Sequence, residues 1–196
     1  MAERKAKVTR ETKETSIKVE LNIDGKGQSE ITTGIRFFDH MLSQLAQHGI
    51  FDMKLSATGT DQHHVVEDVA ISLGRAFNQA LEDRRGIVRM AHAVVPMDDT
   101  LALVALDIGG RGYAVFEASF SNTLIEKMPS DLVRHFFVSL ASEAKLNIHA
   151  KILSGIDDHH KAEALFKALA RALDTATRLD ERITGRVPST KDTIES

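Results

Sequence analysis

Hydrophobic positions along this chain switch between a period of two and a period near 3.6, and the switching happens twice. Ile17, Val19, Leu21 and Ile23 alternate with polar neighbours, as in a half-buried strand, and the run ends at the hairpin signal Asp24-Gly25. Residues 28–32 are expected to be the return strand of that hairpin. Phe38, Met41, Leu42 and Leu45 then stand at helical spacing, with Gly49 as the stop. Residues 51–57 alternate again. After Gly59 and Asp61 a long helix is predicted through Ile71, Leu73, Ala76, Phe77 and Leu81. The first 13 residues are polar and mixed in charge, and read as a loosely held tail.

The second half replays this order. Residues 100–108 form a predicted strand, Gly109-Gly110 a turn and residues 113–120 the return strand; residues 91–95 offer an additional one. A helix over 131–145 follows Pro129, then a strand over 146–153 and a long helix over 158–179. Val19, Leu21 and Ile23 are echoed by Val104, Leu106 and Ile108, and His40 is echoed by His135. The pattern predicts an α+β fold made by internal duplication of a ββαβα-type unit. Each half is a sheet covered on one face by two helices. The first repeat, with an N-terminal tail, occupies residues 1–90, and the second, with a C-terminal tail, residues 91–196.

The long helices carry the chemistry. Each opens on two adjacent histidines followed by a glutamate: His63, His64 and Glu67 return 96 residues later as His159, His160 and Glu163. A helix turns about 100° per residue, so His63 and Glu67 share a face while His64 points away. The same holds for His159 and Glu163 against His160. Such a helix offers a His/Glu pair to one metal ion and a lone histidine to a second, and two of them can exchange these offers. His40 and His135 supply further nitrogens.

Composition narrows the options. The chain has no cysteine, which excludes disulfides, thiol catalysis and cysteine-ligated zinc, and its histidine–carboxylate donors suit manganese, iron or zinc. A net charge of −3 gives no reason to expect nucleic acid or an anionic membrane. No apolar run approaches the ~18 residues of a membrane span, so a cytoplasmic protein is expected. Gly109-Gly110-Arg111-Gly112 is neither a P-loop nor a dinucleotide fingerprint. Arg89, Arg111 and Ser189-Thr190-Lys191 are the cations and hydroxyls suited to a phosphate monoester.

FFDHML, the two HHxxE helices, LVRHFF and the closing VPSTK together resemble imidazoleglycerol-phosphate dehydratases, over residues 8–191. The resemblance implies dehydration of D-erythro-imidazoleglycerol phosphate to imidazole-acetol phosphate in histidine biosynthesis, by a carbon–oxygen lyase with two Mn2+ per active site. It implies a homo-oligomer of 24 subunits with active sites between them. One manganese would take His40, His64, His159 and Glu163, the other His63, Glu67, His135 and His160. This division agrees with the helix-face argument. Arg89, Arg111, Ser189 and Lys191 would bind phosphate, with Gln44, His48 and Lys167 lining the substrate site. Glu14 matches a glutamate that acts as acid or base and touches substrate.

The mechanism so implied holds the imidazole ring as a metal-bound imidazolate whose electrons expel the neighbouring hydroxyl. A base, Glu14, takes the proton from the next carbon, and the enol tautomerises. Two departures from the family pattern stand out: a shorter loop before His63, here Gly59-Thr60-Asp61-Gln62, and Gly112 where proline is common. Two other readings use the same residues. A metal-stapled, non-catalytic oligomer predicts closed coordination shells. A dinuclear metallohydrolase of a phosphorylated substrate predicts a bridging carboxylate or water.

Overall fold

A computed structural model describes residues 4–194 of the chain. In the first half, β1 (Lys5–Glu11), β2 (Thr15–Asn22) and β3 (Ser29–Thr32) lead into α1 (Arg36–Gly49), β4 (Asp52–Gly59) and α2 (Gln62–Ala80). The second half has β5 (Met90–Met97), β6 (Thr100–Asp107), β7 (Tyr113–Glu117), α3 (Asp131–Ala144), β10 (Asn147–Ser154) and α4 (Asp158–Thr177). A two-stranded ribbon, β8 (Leu124–Ile125) and β9 (Met128–Pro129), intervenes before α3 and has no counterpart in the first half. The ribbon aside, each half carries one strand more than the ββαβα pattern.

The additional first strand corrects the expected tail. Residues 5–11 pair antiparallel with β2, and only residues 1–3 of that stretch lie outside the described ones. Its alternation was masked because an inward position is Arg10, whose Nε donates to the buried carboxylate of Asp68 at 2.8 Å. The expected hairpins are also corrected. The sheet orders are β1-β2-β4-β3 and β5-β6-β10-β7, with β3 and β7 running parallel to β4 and β10. After Asp24-Gly25 the amides of Lys26 and Gln28 donate to Asp52 Oδ1 at 2.8 and 3.0 Å, which carries the loop across the end of β4. In the second half a Cβ on Gly112 would lie 2.4 Å from Ser142 Cα. That turn therefore runs against α3 instead of folding back on β6, and a side chain at 112 would require the α3 backbone at Ser142 to shift.

Register places the core. Ile17, Val19 and Leu21 of β2 face Ala57, Leu55 and Met53 of β4, all buried, while Lys18 and Glu20 point outward. Helices α2 and α4 lie on the inner faces of the first and second sheets, α1 packs on α4, and α3 packs on α2. Between them Phe136 is fully buried against Phe38 of α1 and Phe166 of α4, with ring centroids 5.6 and 4.9 Å away. A Phe at such a position is worth about 3–5 kcal/mol. Phe136 thus links the helices that carry His40, His135 and His159. The repeats also end their shorter helices alike: Ile50 and Lys145 are both left-handed and return their N–H to Ala46 O and Ala141 O. Gly49 is the last helical residue, not the left-handed one.

Candidate metal centres and anion recess

Each long helix begins on an aspartate cap. Asp61 accepts from His64 N and Asp157 from His160 N, each at 3.0 Å, satisfying an amide of the first turn. The shortened loop before His63 therefore ends in an intact cap. With both helix starts fixed, two clusters of ligating atoms form, each within 4.8 Å. In the first, α1 brings His40 Nε2 to 3.1 Å from Glu163 Oε2, and His159 Nε2 lies 3.2 Å from the same oxygen. In the second, α3 brings His135 Nε2 to 3.4 Å from Glu67 Oε1, and His63 Nε2 stands 4.0 Å from Oε2. The predicted His/Glu pairs are thus each joined by the predicted third histidine.

His64 and His160 join neither cluster. Their rings stand edge-to-face with their neighbours, 5.9 Å from His63 and 6.2 Å from His159 between centroids. Carboxylates hold them instead. Asp61 lies 2.7 Å from His64 Nδ1, and Glu14, more than half exposed, 3.7 Å from its Nε2. Asp99 lies 2.7 Å from His160 Nδ1, and Asp98 3.4 Å from its Nε2. The Asp99 carboxylate raises the His160 pKa against the opposing effect of burial. The hydrogen bond from the His64 amide is the main reason that Asp61 titrates below the ordinary range.

The clusters differ electrostatically. Glu163 is buried, which by itself disfavours its charge, but the Lys167 ammonium at 2.7 Å and His40 outweigh burial and hold its pKa low. Glu67 is more exposed and has no lysine beside it; the residue equivalent to Lys167 is Ile71. Gln44 Oε1 lies 3.0 Å from His48 Nε2 on α1. Burial lowers the His48 pKa, and the Lys167 and Arg171 cations facing it lower it further.

The predicted phosphate residues converge elsewhere. Arg89, Arg111, Ser189 and Lys191 line one recess of about 920 Å³, together with Arg186 and Thr190. Arg89 sits at φ +77°, held by its N–H to Ala176 O and by Ile108 N to its own carbonyl. A left-handed non-glycine residue costs about 1–2 kcal/mol. Its guanidinium donates twice to Asp107, at 2.7 and 3.0 Å, and once to Pro188 O at 2.7 Å. The first of these partners raises the arginine's pKa. The fork is therefore fixed in plane beside the tail that carries Ser189 and Lys191. The recess shares no lining residue with either cluster.

The donor sets fit a divalent transition metal. His135 Nε2 is buried and has no hydrogen-bond partner, an arrangement that costs free energy unless a ligand meets it. The donors are imidazoles and carboxylates with no thiolate. Sequence reasoning missed Asp99 and Asp107. Asp107 ends an apolar strand, and only the register Met90↔Asp107 brings it beside Arg89. Asp61 was visible as a helix start, though not as a partner of His64.

Residues 33–173 match the family model described as imidazoleglycerol-phosphate dehydratase. The protein of that name from Dehalococcoides mccartyi (strain ATCC BAA-2266 / KCTC 15142 / 195) is 61% identical over all of both chains. That from Methanothermobacter thermautotrophicus is 52% identical, covering 96% of each. The crystal structure from Staphylococcus aureus superposes with a TM-score of 0.83 at 34% identity, covering 90% of this chain and 99% of that one. That from Pyrococcus furiosus gives 0.83 at 38% identity, covering 95% and 99%.

Proposed function

The chain belongs to the imidazoleglycerol-phosphate dehydratase family, and on that premise we propose how its residues divide the work. The protein is a hydro-lyase that removes water from imidazoleglycerol phosphate in histidine biosynthesis. His40, His159 and Glu163 would hold one manganese ion and His63, Glu67 and His135 a second. Each would be completed by the lone histidine of a neighbouring subunit, His64 for the first and His160 for the second. The observation that carries this reading is that each cluster lacks the histidine that the helix face turns away. When bound, the two ions supply Lewis acidity and a template for the imidazole ring.

The chain's own groups do the rest. The recess takes the phosphate, with Arg89 as a planar fork and Arg111, Lys191 and the Ser189 hydroxyl as further donors. Gln44, His48 and Lys167 line the approach to the first cluster. Glu14 travels with His64, so a subunit that donates His64 also brings a carboxylate to the neighbour's site. There Glu14 takes the proton from the carbon beside the one that loses hydroxyl, leaving the enol that becomes imidazole-acetol phosphate. An assembly of 24 subunits in the cytoplasm completes the proposal. Among the described residues no helix is long and apolar enough to cross a membrane. The separate anion recess gives a phosphorylated substrate a place that a purely structural metal staple does not need.

The test is turnover of imidazoleglycerol phosphate by chelator-stripped protein before and after adding Mn2+. Metal-dependent appearance of the acetol phosphate supports the reading. Metal binding and assembly without turnover would overturn the catalytic assignment in favour of the staple.

A further inference from the structure

We propose that Asp99 is a positioning residue that fixes the proton and the direction of His160, so that His160 presents Nε2 to the neighbouring subunit's metal. The inference rests on the reading of His160 as a ligand given above. Asp99 sits at the tip of the β5–β6 hairpin, far in sequence from the α4 helix it serves. Its two oxygens have separate tasks. Oδ2 accepts the backbone N–H groups of Ile156 and Asp157, at 2.5 and 3.1 Å, which pins the loop entering α4. Oδ1 stands 2.7 Å from His160 Nδ1. An ionised carboxylate only accepts, so Nδ1 must carry the proton, and the lone pair of the neutral ring is left on Nε2.

A ligating histidine needs this arrangement, because the nitrogen that does not bind metal donates to an oriented acceptor. Asp98 faces Nε2 at 3.4 Å but is 72% exposed on the hairpin turn, free to move aside for an ion. The first repeat also sets a carboxylate near the equivalent nitrogen, from a different position. There the helix cap Asp61 uses Oδ1 for the His64 amide and brings Oδ2 to 2.7 Å from Nδ1, while the hydrogen bond to Nδ1 is made by the Thr60 hydroxyl at 3.3 Å. In the second repeat the side chain of the cap Asp157 accepts from the His160 amide. The residue holding the ring is Asp99, which occupies the hairpin place of Glu14 in the first repeat, immediately before the buried threonine (Thr100, like Thr15). Both lone histidines thus have a carboxylate close to Nδ1, but only the second repeat makes it the hydrogen-bond partner of the ring.

Asp99→Asn is the informative change. The amide oxygen can keep the Ile156 and Asp157 hydrogen bonds, but the NH2 group then faces His160 Nδ1. That drives the ring proton to Nε2, where it blocks metal. The full-length chain is stripped with chelator and titrated with Mn2+, free ion being read by its electron paramagnetic resonance signal. His160→Ala, Asp99→Glu and wild type are run beside it, and the fold of each metal-free variant is checked by circular dichroism. The expected result is that Asp99→Asn binds its weaker manganese about 10- to 100-fold less tightly, as His160→Ala also does, with partial rescue by Asp99→Glu. If His160→Ala weakens binding and Asp99→Asn, folded, does not, the positioning role is overturned while the ligand assignment stands. If His160→Ala leaves binding unchanged, the ligand assignment fails and this inference with it.

Discussion

Replacing Lys167 with methionine separates the two clusters. Its ammonium lies 2.7 Å from Glu163 Oε1, and at an effective dielectric of 20 two unit charges at that distance attract by about 6 kcal/mol. The measurable loss is smaller, since the lysine side chain is 18% exposed and His40 and His159 still face the other oxygen. Breaking a buried pair costs about 3–5 kcal/mol, so the lower end, about 3 kcal/mol, is expected here in metal-free protein. With manganese bound, the ion supplies the missing positive charge and the loss falls to about 1 kcal/mol or less. Urea unfolding at one fixed protein concentration, in chelator and in Mn2+, reads both values. Equal losses under the two conditions would refute the reasoning, because Lys167 and the metal would then not be answering the same carboxylate.

Glu14→Gln should leave Mn2+ binding unchanged and slow turnover by about 100-fold or more, the scale of lost proton transfer; full activity by steady-state assay would remove Glu14 from the mechanism. Phe136→Ala should cost about 3–5 kcal/mol in denaturant melts and weaken Mn2+ binding. Phe51→Ala, equally buried but packed on Phe77 away from both clusters, should cost as much without the second effect. Arg4 holds Asp24 through charge-assisted hydrogen bonds and depresses its pKa below 3.8. A depressed carboxylate stabilises the fold above its unfolded pKa and loses that contribution as pH falls through the folded one. Arg4→Ala should therefore cost about 1 kcal/mol at pH 7, by thermal melts, with the gap to wild type closing below pH 3.8. A gap independent of pH would contradict the assignment.

The helices and the grouping of their candidate ligands were legible because both are encoded locally. The 3.6-residue period places His63 with Glu67 and His159 with Glu163, and aspartate caps mark where each helix starts. Strand partners were not legible. The strands do end at Asp24-Gly25 and Gly109-Gly110, but the path of the chain beyond each is steered by contacts distant in sequence: Asp52 gathering the amides of Lys26 and Gln28, and Ser142 crowding Gly112. The β1 strand hid behind its charged inward residue Arg10. In the site, the candidate phosphate residues were recognisable by type, whereas the residues beside them and beside His160 sit at a strand end (Asp107) and in a hairpin turn (Asp99). Their partners are set only by register and topology.

The central claim is that one chain supplies three ligands of a cluster and another supplies the fourth. It is tested most directly by mixing two inactive variants, His40→Ala and His64→Ala. Equal amounts are dissociated in chelator and reassembled with Mn2+. With cluster and lone histidine drawn from different subunits, random association in a symmetric oligomer restores about one quarter of the first-cluster sites, and about that share of wild-type turnover. If each chain completes its own site, every site keeps one lesion. The mixture would then stay as inactive as its components, and the account would be wrong.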